Sequence, residues 1–198
     1  MNKKAQGRAN AVRIIGGKWR GKKLSFPAID GLRPTPDRIR ETVFNWLQFD
    51  MHGARVLDVF AGSGAFGLEA LSRGADYAVF VEKDLQAAKQ LNSHLHELHI
   101  DNAQVEQVDA THYLRHRPGQ PFDVVFLDPP YGQNLLQPCM AQLENQGFLT
   151  DNAYIYVEAE STLKTLPLPD NWRLHRSKHS GQVSYHLAIR ETQQESTP

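Results

Sequence analysis

The stretch Val56–Leu71, VLDVFAGSGAFGLEAL, starts as a short apolar strand and ends as a helix, with Gly62, Gly64 and Gly67 spaced G-x-G-x-x-G between them. That spacing is the dinucleotide fingerprint, in which glycines let the backbone come close to a ligand at a helix N-terminus. By itself it leaves NAD or FAD binding open. Asp58, four residues before Gly62, tilts the reading. A pyrophosphate wants helix amides without a competing carboxylate. S-adenosylmethionine instead carries an ammonium and a sulfonium, which a nearby carboxylate attracts, directly or through water.

Two further acids continue the pattern downstream. VFVEKD (Val79–Asp84) puts Glu82 at the next strand end, where it can accept both hydroxyls of a ribose. VEQVDA (Val105–Ala110) puts Asp109 at the strand end after that, placed to accept an adenine amino group. One such acid alone reads as a solvated residue or a cap of the following helix. Three in succession, Asp58, Glu82 and Asp109, line one edge of a sheet. The strand Phe122–Leu127 then runs into Asp128-Pro129-Pro130-Tyr131. Two prolines force the chain out of the sheet in a stiff turn. Alone, this is an ordinary strand-to-loop turn; nineteen residues after Asp109 it signals chemistry. The exocyclic amine of guanine, adenine or cytosine is a poor nucleophile because its lone pair is delocalised into the ring. Asp128 and the Pro129 carbonyl can accept its N–H groups, orienting it as a methyl arrives. Tyr131 offers a face on which an extruded base stacks. Asp128 as proton acceptor and Asp128 as orienting group both remain open here.

Around these motifs strands and helices alternate. The spacing predicts strands at Ala54–Phe60, Tyr77–Val81, Gln104–Val108, Phe122–Leu127 and Ala153–Glu158. It predicts helices at Gly67–Arg73, Leu85–Leu98, Thr111–Leu114 and Leu135–Leu143. Such alternation implies a mostly parallel sheet covered on both faces. A final strand pair, Trp172–Lys178 and Val183–Ile189, turns at Gly181, so one strand must run antiparallel. Upstream, RIIGGKWRGKKL (Arg13–Leu24) reads as a β-hairpin about Gly16-Gly17. A helix capped by Thr35 or Asp37, with Pro36 in its first turn, reaches about Leu47, with Ile39, Val43, Phe44 and Leu47 on one face.

Composition sets the outer limits. The 198 residues fit one domain with an extension, 40% of them apolar and 22% charged, with no stretch long enough for a membrane span or a secretory signal. A cytoplasmic protein is expected. The single cysteine, Cys139, excludes an internal disulfide and reads as packing, and the nine histidines show no metal-ligand spacing. His94 and His96 read as solvated residues on the polar side of their helix. Net charge is zero, but residues 1–40 hold 11 of the 22 Lys and Arg and only 2 of the 22 Asp and Glu, a net of +9. A basic arm on an acidic body suggests a polyanion bound at one end.

Taken together, DVFAGSGAFGLEALSRGA, VFVEKD, VDA and FLDPPY resemble the amino-methylating class I methyltransferases. RIIGGKWRGKKL and LRPTPDRIRETVFNWL, with the late EAE and GQVSYHL segments, narrow the resemblance to the RsmD-type enzymes, which methylate the N2 amine of a guanine in 16S ribosomal RNA. The similarity runs from about Arg13 to Arg190. It implies a Rossmann-like α/β fold with a seven-stranded, mostly parallel sheet, one strand of it antiparallel, plus a small N-terminal β-hairpin extension. The expected division is a disordered basic tail at 1–11, the extension at 12–34, the methyltransferase domain at 35–190 and a frayed end at 191–198. S-adenosylmethionine is the implied cofactor, with S-adenosylhomocysteine as product and no metal. Its implied contacts are Asp58, Phe60, Ala61, Gly62, Ser63, Gly64 and Gly67 of the loop, Glu82 with Lys83, and Asp109 with Ala110. The TPDRIRE segment adds Thr35, Arg38 and Glu41 near the methionine end, where Arg38 fits a carboxylate in fork geometry. Without the resemblance, Arg38 and Glu41 read as a surface ion pair at helical spacing.

The catalytic set is Asp128, Pro129, Pro130 and Tyr131. The RNA-contacting set is Arg13, Lys18, Trp19, Arg20, Lys22, Lys23 and Arg33; Trp19 reads slightly better as packing under the hairpin than as a base-stacking ring. His175, Arg176, Lys178 and His179 add to the basic face. The implied partner is 16S ribosomal RNA within a small subunit or an assembly intermediate, met by a monomer, with the folded particle supplying specificity that a short hairpin cannot. A DNA adenine-N6 or cytosine-N4 methyltransferase is the near alternative, disfavoured because the chain has no room for a target-recognition domain. An NAD-dependent oxidoreductase leaves DPPY unexplained, and a binding protein without turnover sits poorly with intact Asp128 and Tyr131.

Overall fold

The computed structural model describes residues 10–26 and 35–191. Arg33 and most of the expected N-terminal tail lie outside the described residues. Fourteen elements are described: β1 (Asn10–Arg13), β2 (Lys23–Phe26), α1 (Asp37–Trp46), β3 (Arg55–Asp58), α2 (Ala65–Ser72), β4 (Tyr77–Val81), α3 (Leu85–Glu97), β5 (Ala103–Glu106), α4 (Ala110–Tyr113), β6 (Phe122–Leu127), α5 (Leu136–Asn145), β7 (Leu149–Glu160), β8 (Trp172–Ser180) and β9 (Val183–Arg190). β1 and β2 form a two-stranded antiparallel sheet. The other seven strands form one sheet in the order β5-β4-β3-β6-β7-β9-β8. β9 alone runs opposite to the other six strands. The mostly parallel sheet is the one the alternating pattern predicts, and its seven strands and separate N-terminal pair are those the family resemblance implies. The carboxyl ends of β3, β4, β5, β6 and β7 therefore lie along one edge, with the order reversing between β3 and β6.

The sheet is buried on both faces, as its near-continuous apolar strands require. One face packs α1, α2, α3 and the extension around Phe44, Phe66, Phe126 and Tyr156. The Phe66 ring lies 4.8 Å from both Phe126 and Tyr156, an aromatic floor beneath the ends of β6 and β7. The other face packs α4 and α5, and Cys139 sits fully buried there. Burial pushes its thiol up to about 12, consistent with packing rather than reactivity. Among the described residues, no helix is long and apolar enough to cross a membrane.

Several local expectations are corrected. Gly16 and Gly17 do not form a two-residue turn: the strands pair further out, from Asn10↔Phe26 to Arg13↔Lys23, so Asn10 and Ala11 are ordered in β1. The glycines serve a close approach. A Cβ on Gly17, at φ +74°, would stand 1.7 Å from the Ser72 carbonyl oxygen, and one on Gly16 would meet the Arg73 guanidinium at 2.5 Å. Neither Thr35 nor Asp37 caps α1; Pro36 occupies that position, and Asp37 pairs with Arg13 at 2.9 Å and Arg40 at 2.6 Å. α2 starts two residues earlier than expected, at Ala65, behind a left-handed Gly64. His94 is buried rather than solvated, its Nε2 on the Ser25 carbonyl at 2.6 Å, tying α3 to β2. Glu191 donates its backbone N–H to the Asn171 carbonyl.

The extension is held by a charge that sequence reading did not single out. Glu69 of α2 is fully buried. Its carboxylate accepts the N–H groups of Ile15 (2.7 Å) and Gly16 (2.8 Å) and pairs with Arg73 (2.7 Å) and buried Arg40 (3.6 Å). Arg40 also donates to the Arg13 carbonyl. One buried carboxylate thus joins the hairpin, α1 and α2. Removing it strands two amides and a buried guanidinium. We expect Glu69→Ala to cost about 3–5 kcal/mol of unfolding free energy, read by urea denaturation; a loss below about 1 kcal/mol would contradict this account.

Candidate active site

The glycine loop is shaped by carboxylates arriving from the strands. Asp58, at the end of β3, is 4% exposed and accepts the Gly67 N–H at 3.0 Å. It thereby caps α2 from outside the helix. The Gly62 N–H donates to Glu82 at 2.7 Å, and the same carboxylate accepts the Asp84 N–H through its other oxygen. The amides a pyrophosphate would need are thus already bound to anions, which argues against the dinucleotide reading. Gly64 and Gly67 earn their place by packing: a Cβ on Gly67 would meet the Phe80 ring at 2.2 Å, and one on Gly64 would meet Leu91 at 2.3 Å.

The donor set suits a ligand rich in cations and hydroxyls. Each oxygen of half-buried Glu82 takes one amide and keeps acceptor capacity for a diol. Asp109 caps α4, accepting from Thr111 and His112 through Oδ1, while Oδ2 has no partner among the described residues. Phe60 is half-buried, Ala61 and Ser63 are buried, and Lys83 is exposed beside Glu82; Ala110 is buried in the first turn of α4. Burial pushes the Asp58 carboxyl up to about 7, helped by the negative Glu82 and opposed by the Gly67 amide. Among the described residues, no group of three His, Cys, Asp or Glu side chains could hold a metal ion.

Asp128 leaves β6 one strand away from Asp58, since β3 and β6 are neighbours. Its carboxyl is held well above the usual range, first by burial and then by the negative Glu158 and Asp58. The Thr35 hydroxyl reaches it weakly, at 3.4 Å. The Pro129 carbonyl accepts no hydrogen bond from the described residues, and Pro129 itself is buried. Pro130 is exposed, and Tyr131 is 46% exposed. The Tyr131 hydroxyl donates to Glu158 at 3.2 Å, and buried Tyr156 donates to the other Glu158 oxygen at 2.8 Å. Glu158 is itself 6% exposed, and burial raises its carboxyl also. Sequence reading quoted the EAE segment without assigning Glu158 a role. A buried Glu at the end of the strand beside DPPY was the available signal.

The other expected residues fall elsewhere. Arg38 and Glu41 are exposed on α1, and no ion pair joins them among the described residues. The hairpin tip lies against the C-terminal end of α2, Lys18 and Trp19 donating backbone N–H groups to Ser72. The glycine loop is at the opposite end of that helix, about 12 Å away for eight residues. Trp19 is half-buried against the core with Lys18 over its ring. Arg13 and Lys22 are engaged with Asp37 and Glu97, while Arg20 and Lys23 are exposed.

The family model described as conserved hypothetical protein 95 matches residues 12–189. The chain is 47% identical over 196 residues to ribosomal RNA small subunit methyltransferase D of Escherichia coli strain K12, covering 99% of this chain and 98% of that protein. It is 46% identical over 179 residues to the protein of the same name from Haemophilus influenzae, covering 89% and 92%. The solved structure of yhhF from Escherichia coli superposes with a TM-score of 0.87 at 46% identity, over 93% of this chain and all of that one. A more distant structure, SMU.776 in complex with SAH, shares the fold at 16% identity and a TM-score of 0.68, over 96% of this chain and 58% of that one.

Because Asp58 is raised to about 7, a cationic ligand beside it must displace its proton at lower pH. S-adenosylhomocysteine, which keeps the ammonium, is therefore expected to bind more tightly as pH rises from 6 to 8, and Asp58→Asn to flatten that dependence. Calorimetric titration across the range checks both. Affinity independent of pH in the unaltered protein would remove Asp58 from the cation site.

Proposed function

The chain belongs to the RsmD-type family described as conserved hypothetical protein 95, and we propose that it transfers a methyl group from S-adenosylmethionine to the exocyclic N2 amine of a guanine in 16S ribosomal RNA. The observation that carries this reading is the pairing of Asp128 and a free Pro129 carbonyl, at the end of β6, with the acid-lined loop of β3 next to it. When bound, the cofactor supplies the activated methyl. Asp58, Glu82 and Asp109 hold its cationic and hydroxyl-bearing parts. Asp128 and the Pro129 carbonyl accept the two N–H groups of the target amine, favouring tetrahedral character at nitrogen. Tyr131 stacks the base, which must be extruded or already single-stranded to reach it.

Glu158 is a positioning residue in this reading. It fixes the Tyr131 ring through the phenol and keeps the Asp128 carboxyl raised. A carboxyl raised towards neutrality is a matched acceptor for the proton that the amine loses as it is methylated. The basic arm and the wider basic face favour an RNA partner, with a small subunit or assembly intermediate as the folded substrate and a monomer as the acting form. On the same footing we propose that residues 35–190 carry the catalysis and that the extension braces them.

Radiolabelled transfer into unmodified small subunits, free ribosomal RNA and duplex DNA tests the proposal. Label is expected in ribosomal RNA as N2-methylguanine, reduced at least about a hundredfold by Asp128→Ala. Label confined to DNA would overturn the RNA assignment. The sign for Glu158 also follows. Removing its charge lets the Asp128 carboxyl ionise at lower pH. In Glu158→Gln the acid limb of the kcat–pH profile should therefore move to lower pH, and an unmoved limb would deny the coupling.

A further inference from the structure

The basic hairpin is not the surface best placed to meet a polyanion near the reacting base. The far side of the sheet is. β8 is an edge strand, and Arg173 to Ser180 are half-buried or exposed along it. In register, Lys178 pairs with Tyr185 of β9, and Tyr185 pairs with Glu158 of β7. In-register neighbours share a face, so Lys178, Tyr185 and Glu158 form one row. Two interstrand spacings, about 10 Å, separate the lysine from the carboxylate that holds Tyr131.

The row has an aromatic partner. Trp46, half-buried at the end of α1, stacks on Tyr185 at 5.6 Å, and the Lys178 ammonium lies over the Trp46 ring at 6.0 Å. Arg176 and His175 continue along β8, the His175 ring 6.4 Å from Tyr154. Phe49, 87% exposed in the turn after α1, precedes Asp50, which faces Tyr154 and His175. Arg176 and Lys178 form no ion pair with a described carboxylate, unlike Arg13 and Lys22 of the hairpin. Charges on an edge strand also deter sheet-to-sheet pairing. That role explains the lysine, but not the half-buried Trp46 beneath it, itself stacked on buried Tyr185. Two cations without a carboxylate partner among the described residues, one of them over a half-buried tryptophan, form a surface suited to the phosphates of a single nucleic-acid strand.

We propose that the α1-side surface of β8, with exposed Arg176 and Lys178 at its centre and half-buried Trp46 beside them, binds the RNA strand flanking the target base. It rests on the RNA reading above, and it puts the RNA on the opposite flank of the site from the cofactor loop. Phosphates meet Arg176 and Lys178 while Tyr131 takes the base, so the substrate lies across β6–β7–β9–β8.

The test compares wild type with Arg176→Glu/Lys178→Glu, and with the neutral Arg176→Gln/Lys178→Gln. Equilibrium binding to unmodified small-subunit ribosomal RNA is read at several salt concentrations, with S-adenosylhomocysteine affinity as the folding control. The acidic variant is expected to weaken RNA binding by at least about tenfold and to lower the salt slope by roughly two, about one per lost phosphate contact. The neutral variant should lose less, in the same direction, with cofactor affinity unchanged in both. Unchanged RNA affinity and salt slope would overturn the surface. So would normal binding to naked RNA with loss of methylation only on assembled subunits, which would make a protein the occupant. If wild type binds RNA but methylates none, the proposed reaction fails, while the binding comparison still decides the surface.

Discussion

The Asp58 carboxylate, bonded to the Gly67 amide at 3.0 Å, is the contact on which the site depends. It fastens the end of β3 to the first turn of α2 and so sets the loop between them. It also occupies the helix amide that would otherwise receive a phosphate. Burying a charge there is costly, and the cost shows as a carboxyl raised to about 7. Asp128 and Glu158, on the next two strands, are raised by burial as well, and Asp128 further by the negative Glu158 and Asp58. This edge of the sheet therefore carries three acids raised by burial, which suits the cationic cofactor and the proton-losing amine of the proposed reaction.

A second buried charge explains why the edge stays in place. Glu69 and Arg40 join α2, α1 and the hairpin, and α1 begins just after Thr35, whose hydroxyl touches Asp128. The extension thus acts first as a brace. Two of its cations, Arg13 and Lys22, are engaged by Asp37 and Glu97. The aromatic floor of Phe66, Phe126 and Tyr156 supports the same edge from below.

Local patterns were legible in the sequence and distant ones were not. The apolar runs Tyr77–Val81 and Phe122–Leu127 and the glycine loop state their own conformation, and the structure places them at those residues. The strand-end positions of Asp58, Glu82 and Asp109 follow from the same alternation. Glu69 is different: its partners lie 53 and 54 residues away, and within its own helix it reads as an ordinary polar position. His94 meets a carbonyl 69 residues upstream, and Glu158 meets a tyrosine 27 residues upstream. Gly16 and Gly17 carried a turn signal, yet what requires them is the Ser72–Arg73 backbone and guanidinium pressing against them. Each miss is a tertiary contact overriding a local preference.

A carbon-13 titration of the side-chain carboxyls in the cofactor-free protein tests the central claim most directly. Asp58, Asp128 and Glu158 should titrate above ordinary carboxylates, Asp58 near 7, and Asp58 should fall back on addition of S-adenosylmethionine. Ordinary acidic titration of all three, unmoved by the cofactor, would contradict a catalytic edge built on buried negative charge.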